Sequence, residues 1–326
     1  VLENEIRLLN VAVQASTSGG SIAASMAKKP TIAGEIERYL RTGNTDPVNA
    51  AWPGGVMEGG HRAHDDLRRA LVSEVKRLAH RKSHRPVLID DTVALTRRKV
   101  EPMVRGLFSR AEQETVLATL ERSVVFLTTE KIEPLLMEKS YDKSAWDLAN
   151  LYFASVGAKL LGKDAMNIVG LSEHMTCYVS TEYFRENDDR FADFVVHEAA
   201  HIFHNCKRRT IGLRETRTRE WLLDIEFKKR ETFAYSCEAY ARVVELAPDS
   251  GARRALAADY ASKARISEER VDATEVAAIV QDAAAARNGW KVIMARCAAP
   301  KKMPIAQWIR EQAAVAVAAR DLSQSL

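Results

Sequence analysis

The chain of 326 residues lacks several features that would place it at once. It has four cysteines, Cys177, Cys206, Cys237 and Cys297, widely spaced and with no Cys-x-x-Cys pair. Nothing here reads as a disulfide framework, and a reducing compartment is favoured. No apolar run approaches the roughly 20 residues that a membrane span requires. Residues 1–7 show no basic segment leading into an apolar stretch, as a secretory signal would. The expectation is a cytoplasmic protein with no membrane partner. The formal net charge is only +4, too small an excess to imply nucleic acid. Internal repeats and long low-complexity tracts are absent as well. What is present is the balance of a soluble globular chain, 46% hydrophobic and 28% charged, long enough for one large domain or two.

The informative string is His197-Glu-Ala-Ala-His201. On an α-helix, positions i and i+4 lie one turn apart on the same face, so two imidazoles can aim at one point. Glu198 sits at the edge of that face, placed to touch a water on a metal rather than the metal itself. This is the HExxH signature of zinc hydrolases. A helix is predicted around it, because Phe191, Phe194, Val195, Ala199, Ile202 and Phe203 form an apolar stripe opposite the histidines. Asn187, Asp188 and Asp189 precede it as candidate capping residues.

Two histidines leave a catalytic zinc site short of a ligand. The metzincin continuation, HExxHxxGxxH, is excluded because His204 and Lys207 occupy its glycine and last histidine positions. A carboxylate on a second helix is the alternative. The stretch Glu231–Arg242 supplies one, with Glu231, Ala234, Tyr235, Glu238 and Arg242 along one stripe and Phe233, Cys237, Tyr240 and Val244 along the next. Helical phase does not separate Glu231 from Glu238. Whichever is not a ligand is placed to accept a hydrogen bond from His197 or His201. Tyr235 and Tyr240 are candidates to stabilise a transition-state oxyanion, the alternative being that they fill the space between helices. His204 is expected to pack or hydrogen-bond at the helix end.

At this point the chain resembles the gluzincin metallopeptidases, whose glutamate helix often reads Glu-x-x-Ala, matched here by Glu231-Thr-Phe-Ala234. The same local pattern occurs in the anthrax lethal factor family and in the ImmA/IrrE family of regulatory proteases. The likeness covers roughly residues 145–245. It implies zinc (Zn2+) held by His197, His201 and Glu231, with Glu198 as general base toward the zinc-bound water and a peptide or protein as substrate.

Elsewhere, residues 16–60 are rich in Gly, Ser, Ala and Pro, with loops expected at 18–21 and 52–55. Residues 61–85 read as a basic amphipathic helix, with Leu67, Leu71, Val75 and Leu78 at helical spacing. Its His61, His64, His80 and His84 read as solvated rather than metal-binding, and its cations as a weak pointer to an acidic partner. Helical periodicity recurs at 102–122 and 144–162. Strands are expected at 165–171 and 176–184, the second bordering the cleft so that a peptide can add along residues 178–183.

The resulting expectation is an α+β fold with a zincin-like core. Residues 1–100 form a mainly helical N-terminal region, 101–250 the catalytic core, and 251–326 a helical C-terminal lobe. The expected function is a zinc metallopeptidase, with a narrow substrate range if it is regulatory. The alternatives are a metal-binding module without turnover, and a nucleic-acid-binding protein using the helix at 61–85.

Overall fold

The computed structural model describes residues 30–79, 91–163, 165, 170–173, 175–181, 189–216, 219–263, 266 and 268–300. The described chain is mixed α and β, mostly helical, with one three-stranded sheet. It opens with α1 (Ile32–Thr42), α2 (Gly55–Ala79), α3 (Thr92–Leu107) and α4 (Arg110–Ser123), then β1 (Val124–Phe126). Next come α5 (Thr129–Glu138), α6 (Asp142–Ser155), β2 (Gly170–Glu173) and β3 (Thr176–Val179). The last part holds α7 (Phe194–Asn205), α8 (Arg230–Leu246), α9 (Ser250–Lys263), α10 (Ala273–Ala285) and α11 (Gly289–Cys297).

The sheet divides the hydrophobic interior in two. Strand β3 lies in the middle, parallel to β1 through Val124↔Cys177 and antiparallel to β2 through Ser172↔Cys177. Side chains alternate across a strand. Cys177 and Val179 therefore face a core built with α3, α4, α7, α8 and the C-terminal helices. Tyr178, between them, faces a second core made by α1, α2, α5 and α6. Both faces being covered explains why β3 is buried at Cys177, Tyr178 and Val179. The layers cross the linear division expected at residues 100 and 250: α5 and α6 pack with the N-terminal helices, and α9 to α11 share the core of α7 and α8.

Several local expectations need correction. The periodicity at 102–122 is two helices, because Ser109 and Glu112 form a capping box that starts α4 afresh. Helix α6 stops at Ser155, followed by Gly157 at φ 62°. The HExxH helix is capped by Asp193, whose side chain accepts from the Val196 N–H at 3.3 Å. Asp189 instead accepts from the Phe191 N–H in the preceding turn, and residues 187–188 lie outside the described ones. The cleft strand is expected at 178–183, but β3 has partners on both sides, so among the described residues the sheet edge beside α7 is β2. Residues 182–184, 166–169 and 80–85, together with the loop at 18–21, lie outside the described part. The basic helix begins earlier than expected, at Gly55.

Candidate metal centre

Helix α7 presents His197 and His201 one turn apart toward α8, which lies against it. Ala199, Ala200 and Ala234 are fully buried between and around these helices, and small side chains permit the approach. The two imidazole Nε2 atoms lie 3.3 Å apart. Glu231 Oε2 lies 3.4 Å from Nε2 of His201 and 3.8 Å from Nε2 of His197. Donors on a tetrahedral zinc, with bonds of about 2.0–2.1 Å, are roughly 3.4 Å apart. The spacing and the donor set, two imidazoles and one carboxylate, therefore fit a zinc ion. Among the described residues this is the group of three whose donor atoms converge, all within 4.8 Å.

The far side of each imidazole is also held. Glu238 Oε2 lies 3.0 Å from Nδ1 of His197, while Glu238 Oε1 accepts from the Asp193 N–H at 2.7 Å. With a carboxylate on Nδ1, the proton belongs there and the Nε2 lone pair points inward. His201 Nδ1 lies 3.0 Å from Nε2 of His204, and His204 Nδ1 lies 3.0 Å from Asn205 Oδ1. This relay is consistent if each Nδ1–H donates outward. His204 can accept from His201 because it stays neutral: burial, then the neighbouring His201 and Arg230, lower its pKa to about 3.

Charge in the cluster is unbalanced. Burial alone would lower the pKa of His197, but Glu231 and Glu238 outweigh it and raise it to about 10. Burial likewise pushes the Glu231 carboxyl up, and His197 and His201 overcome it and hold it well below the usual range. Three acidic side chains, Glu198, Glu231 and Glu238, surround the two imidazoles, a setting that favours a bound cation.

Glu198 lies on the sheet side of α7 and is 7% exposed. Ser172 Oγ on β2 donates to Glu198 Oε2 and also reaches its backbone oxygen at 3.1 Å. The side chain passes over Gly170, where an added Cβ would meet Glu198 Oε1 at 2.3 Å, so a larger residue there would displace the Glu198 carboxylate. Tyr235 sets its ring edge-on to His197, centroids 4.6 Å apart. Burial, then Glu238, raises its pKa to about 12, so the phenol keeps its proton. Its hydroxyl has no hydrogen-bond partner among the described residues. Arg270, mostly exposed, reaches Glu231 Oε1 at 3.5 Å.

The structure thus brings His197, His201, Glu231, Glu198, Glu238 and Tyr235 together. Tyr240 does not join them. Its ring packs edge-on to Trp290 at 4.8 Å and meets the Gly289 backbone, on the other side of α8. Ser172, Gly170, Asp193 and Arg270 went unnoticed in the sequence. Asp193 alone carried a signal, as an Asp three positions before an N–H that it caps. The basic surface of α2 is neutralised: Arg62 pairs with Glu58, Arg69 with Asp66, Arg77 with Glu74, and Lys76 with Glu133. His64 pairs with Asp142, beside the buried Arg68. His80 and His84 lie outside the described residues. All four cysteines are buried and free. Among the described residues no helix is long and apolar enough to cross a membrane.

Comparison of the chain with known proteins finds no matching family model, no matching curated protein and no matching solved structure.

Proposed function

We propose that the chain is a zinc-dependent metallopeptidase with a zincin-like core, in which His197, His201 and Glu231 hold the metal. The observation that carries this reading is the convergence of two Nε2 atoms and Glu231 Oε2 at 3.3–3.8 Å, with both imidazoles oriented from behind. Zinc, when bound, supplies Lewis acidity and a water acidic enough to lose its proton near neutral pH. With the metal in place, Glu198 would accept a proton from the attacking water and return it to the leaving nitrogen. Ser172 holds one Glu198 oxygen, which leaves the other for proton transfer. Tyr235, whose ring stands edge-on to His197, offers a protonated, uncommitted hydroxyl suited to an oxygen that gains negative charge.

A peptide substrate is favoured over other hydrolysable groups by the position of β2. Among the described residues this strand pairs only with β3, and its Gly170 and Ser172 touch Glu198. An extended chain added to its open edge would run past the proposed base. The free cysteines support a reducing, cytoplasmic setting.

The test compares wild type, Glu198→Gln and Tyr235→Phe in a lysate of the source cell, reading newly formed peptide termini. Wild type should create termini that vanish with chelator and with Glu198→Gln, at unchanged zinc content. The loss for Glu198→Gln should be about a hundred- to ten-thousandfold. Tyr235→Phe should lower their rate on the order of a hundredfold, the usual loss for one oxyanion donor. Equal termini from wild type and Glu198→Gln, both holding zinc, would leave a metal-binding module without turnover.

A further inference from the structure

A second concave site lies on the opposite side of α8 from the metal centre. Tyr240 is nine positions beyond Glu231, about half a turn around the helix. A cavity of about 560 Å³ opens there between α3, α8, α9 and α11, lined by Arg105, Arg253, Arg287 and Lys291 over a wall that includes Tyr240 and Trp290. Among the described residues no carboxylate lines it. Arg105 pairs with Glu101 at 2.5 Å, just outside the lining. Arg253 spends only its Nε, on the Ala247 carbonyl at 3.1 Å. The side chains of Arg287 and Lys291 have no ion-pair or hydrogen-bond partner among the described residues.

Arg296, on the same short helix as Lys291, does pair, with Asp282 at 2.7 Å. Like charges gathered around one hollow repel one another and raise the free energy of the empty site. The N-terminus of α11 adds to the same positive potential. The hollow also carries apolar surface from Tyr240, Val244 and Trp290, and its volume suits a small molecule rather than a single ion.

We propose that this cavity binds a small phosphorylated molecule of nucleotide size. Guanidinium forks match phosphate oxygens in pairs, and a lysine adds a compact charge. With Arg105 held by Glu101, three cations remain; they exceed what one carboxylate neutralises, whereas a diphosphate group meets them with a comparable charge. The apolar wall is left for an uncharged part of the ligand.

The experiment is calorimetric titration of the full chain, at low and at moderate salt, with pyrophosphate, ADP and citrate as probes. The variants are Arg287→Ala, Lys291→Ala, their double and Glu231→Ala. Arg287 and Lys291 are exposed, so thermal melts should show all of their variants folded. Pyrophosphate and ADP should bind saturably. Each single substitution at 287 or 291 should weaken them about tenfold, and the double about a hundredfold. Rising salt should weaken binding further. Glu231→Ala should leave binding intact. The proposal is overturned by no saturable binding of either phosphate, by binding that survives the double substitution, by binding lost in Glu231→Ala, or by citrate binding as tightly as both phosphates.

Discussion

The carboxylate of Glu238 lies 3.0 Å from Nδ1 of His197, on the side of the ring turned away from Glu231. The two glutamates of one helix face thus divide between the two nitrogens of one imidazole. Glu231→Ala should abolish most zinc binding, since a donor is lost. Glu238→Ala should lower affinity by about ten- to a hundredfold, the usual effect of losing a group behind a ligand. Glu238→Gln, which can still accept from Nδ1–H, should lose less. Competition with a zinc-sensitive dye ranks the three, and a larger loss for Glu238→Ala would exchange the two roles.

Gly170 gives a test of Glu198 that leaves the metal untouched. A methyl group at 170 would stand 2.3 Å from Glu198 Oε1 and 2.6 Å from its Cδ, so the carboxylate must move. Gly170→Ala should keep zinc near wild type and lower peptide turnover at least tenfold, because a displaced base loses its reach to the attacking water. Unchanged turnover together with a folded protein would show that Glu198 does not act from this position.

The buried Arg208 links acid sensitivity to the core. Burial pushes the Glu112 carboxyl up, but its bonds to Arg208 and Ser109 outweigh this and hold it below its ordinary value. A lowered folded pKa means that the unfolded chain takes up protons first as pH falls. The stabilisation is therefore complete above the ordinary carboxylate range and is lost as pH drops through the folded pKa. Glu112→Gln should cost on the order of 2–3 kcal/mol at pH 7, with the gap to wild type narrowing in acid. Urea denaturation at pH 7 and pH 3 reads both values, and a gap that widens in acid would contradict the assignment.

The parts of the site legible in the sequence are those set by position on one helix. His197 and His201 share a face by their spacing, and Glu231, Tyr235 and Glu238 share another. The same period places Tyr240 half a turn from Glu231, so its absence from the centre follows from its phase, although its chemistry suggested otherwise. The choice between Glu231 and Glu238 depends on how far α8 slides along α7, which no local pattern records.

The neighbours of Glu198 were hidden for a related reason. Ser172 and Gly170 reach it only because β2 pairs with β3 and lies against α7. The sheet order was obscured by β1, whose three residues are too few for an alternation to show. The break at Phe108–Ser109, by contrast, was readable: Ser109 and Glu112 stand in capping-box spacing within the apolar period.

The most direct test of the metal centre is elemental analysis of purified wild type, His197→Ala and His201→Ala, with circular dichroism to show that each is folded. Wild type should carry about one zinc per chain, as a single three-ligand site requires, and each variant should lose most of it. Zinc retained in full by both folded variants would contradict the account.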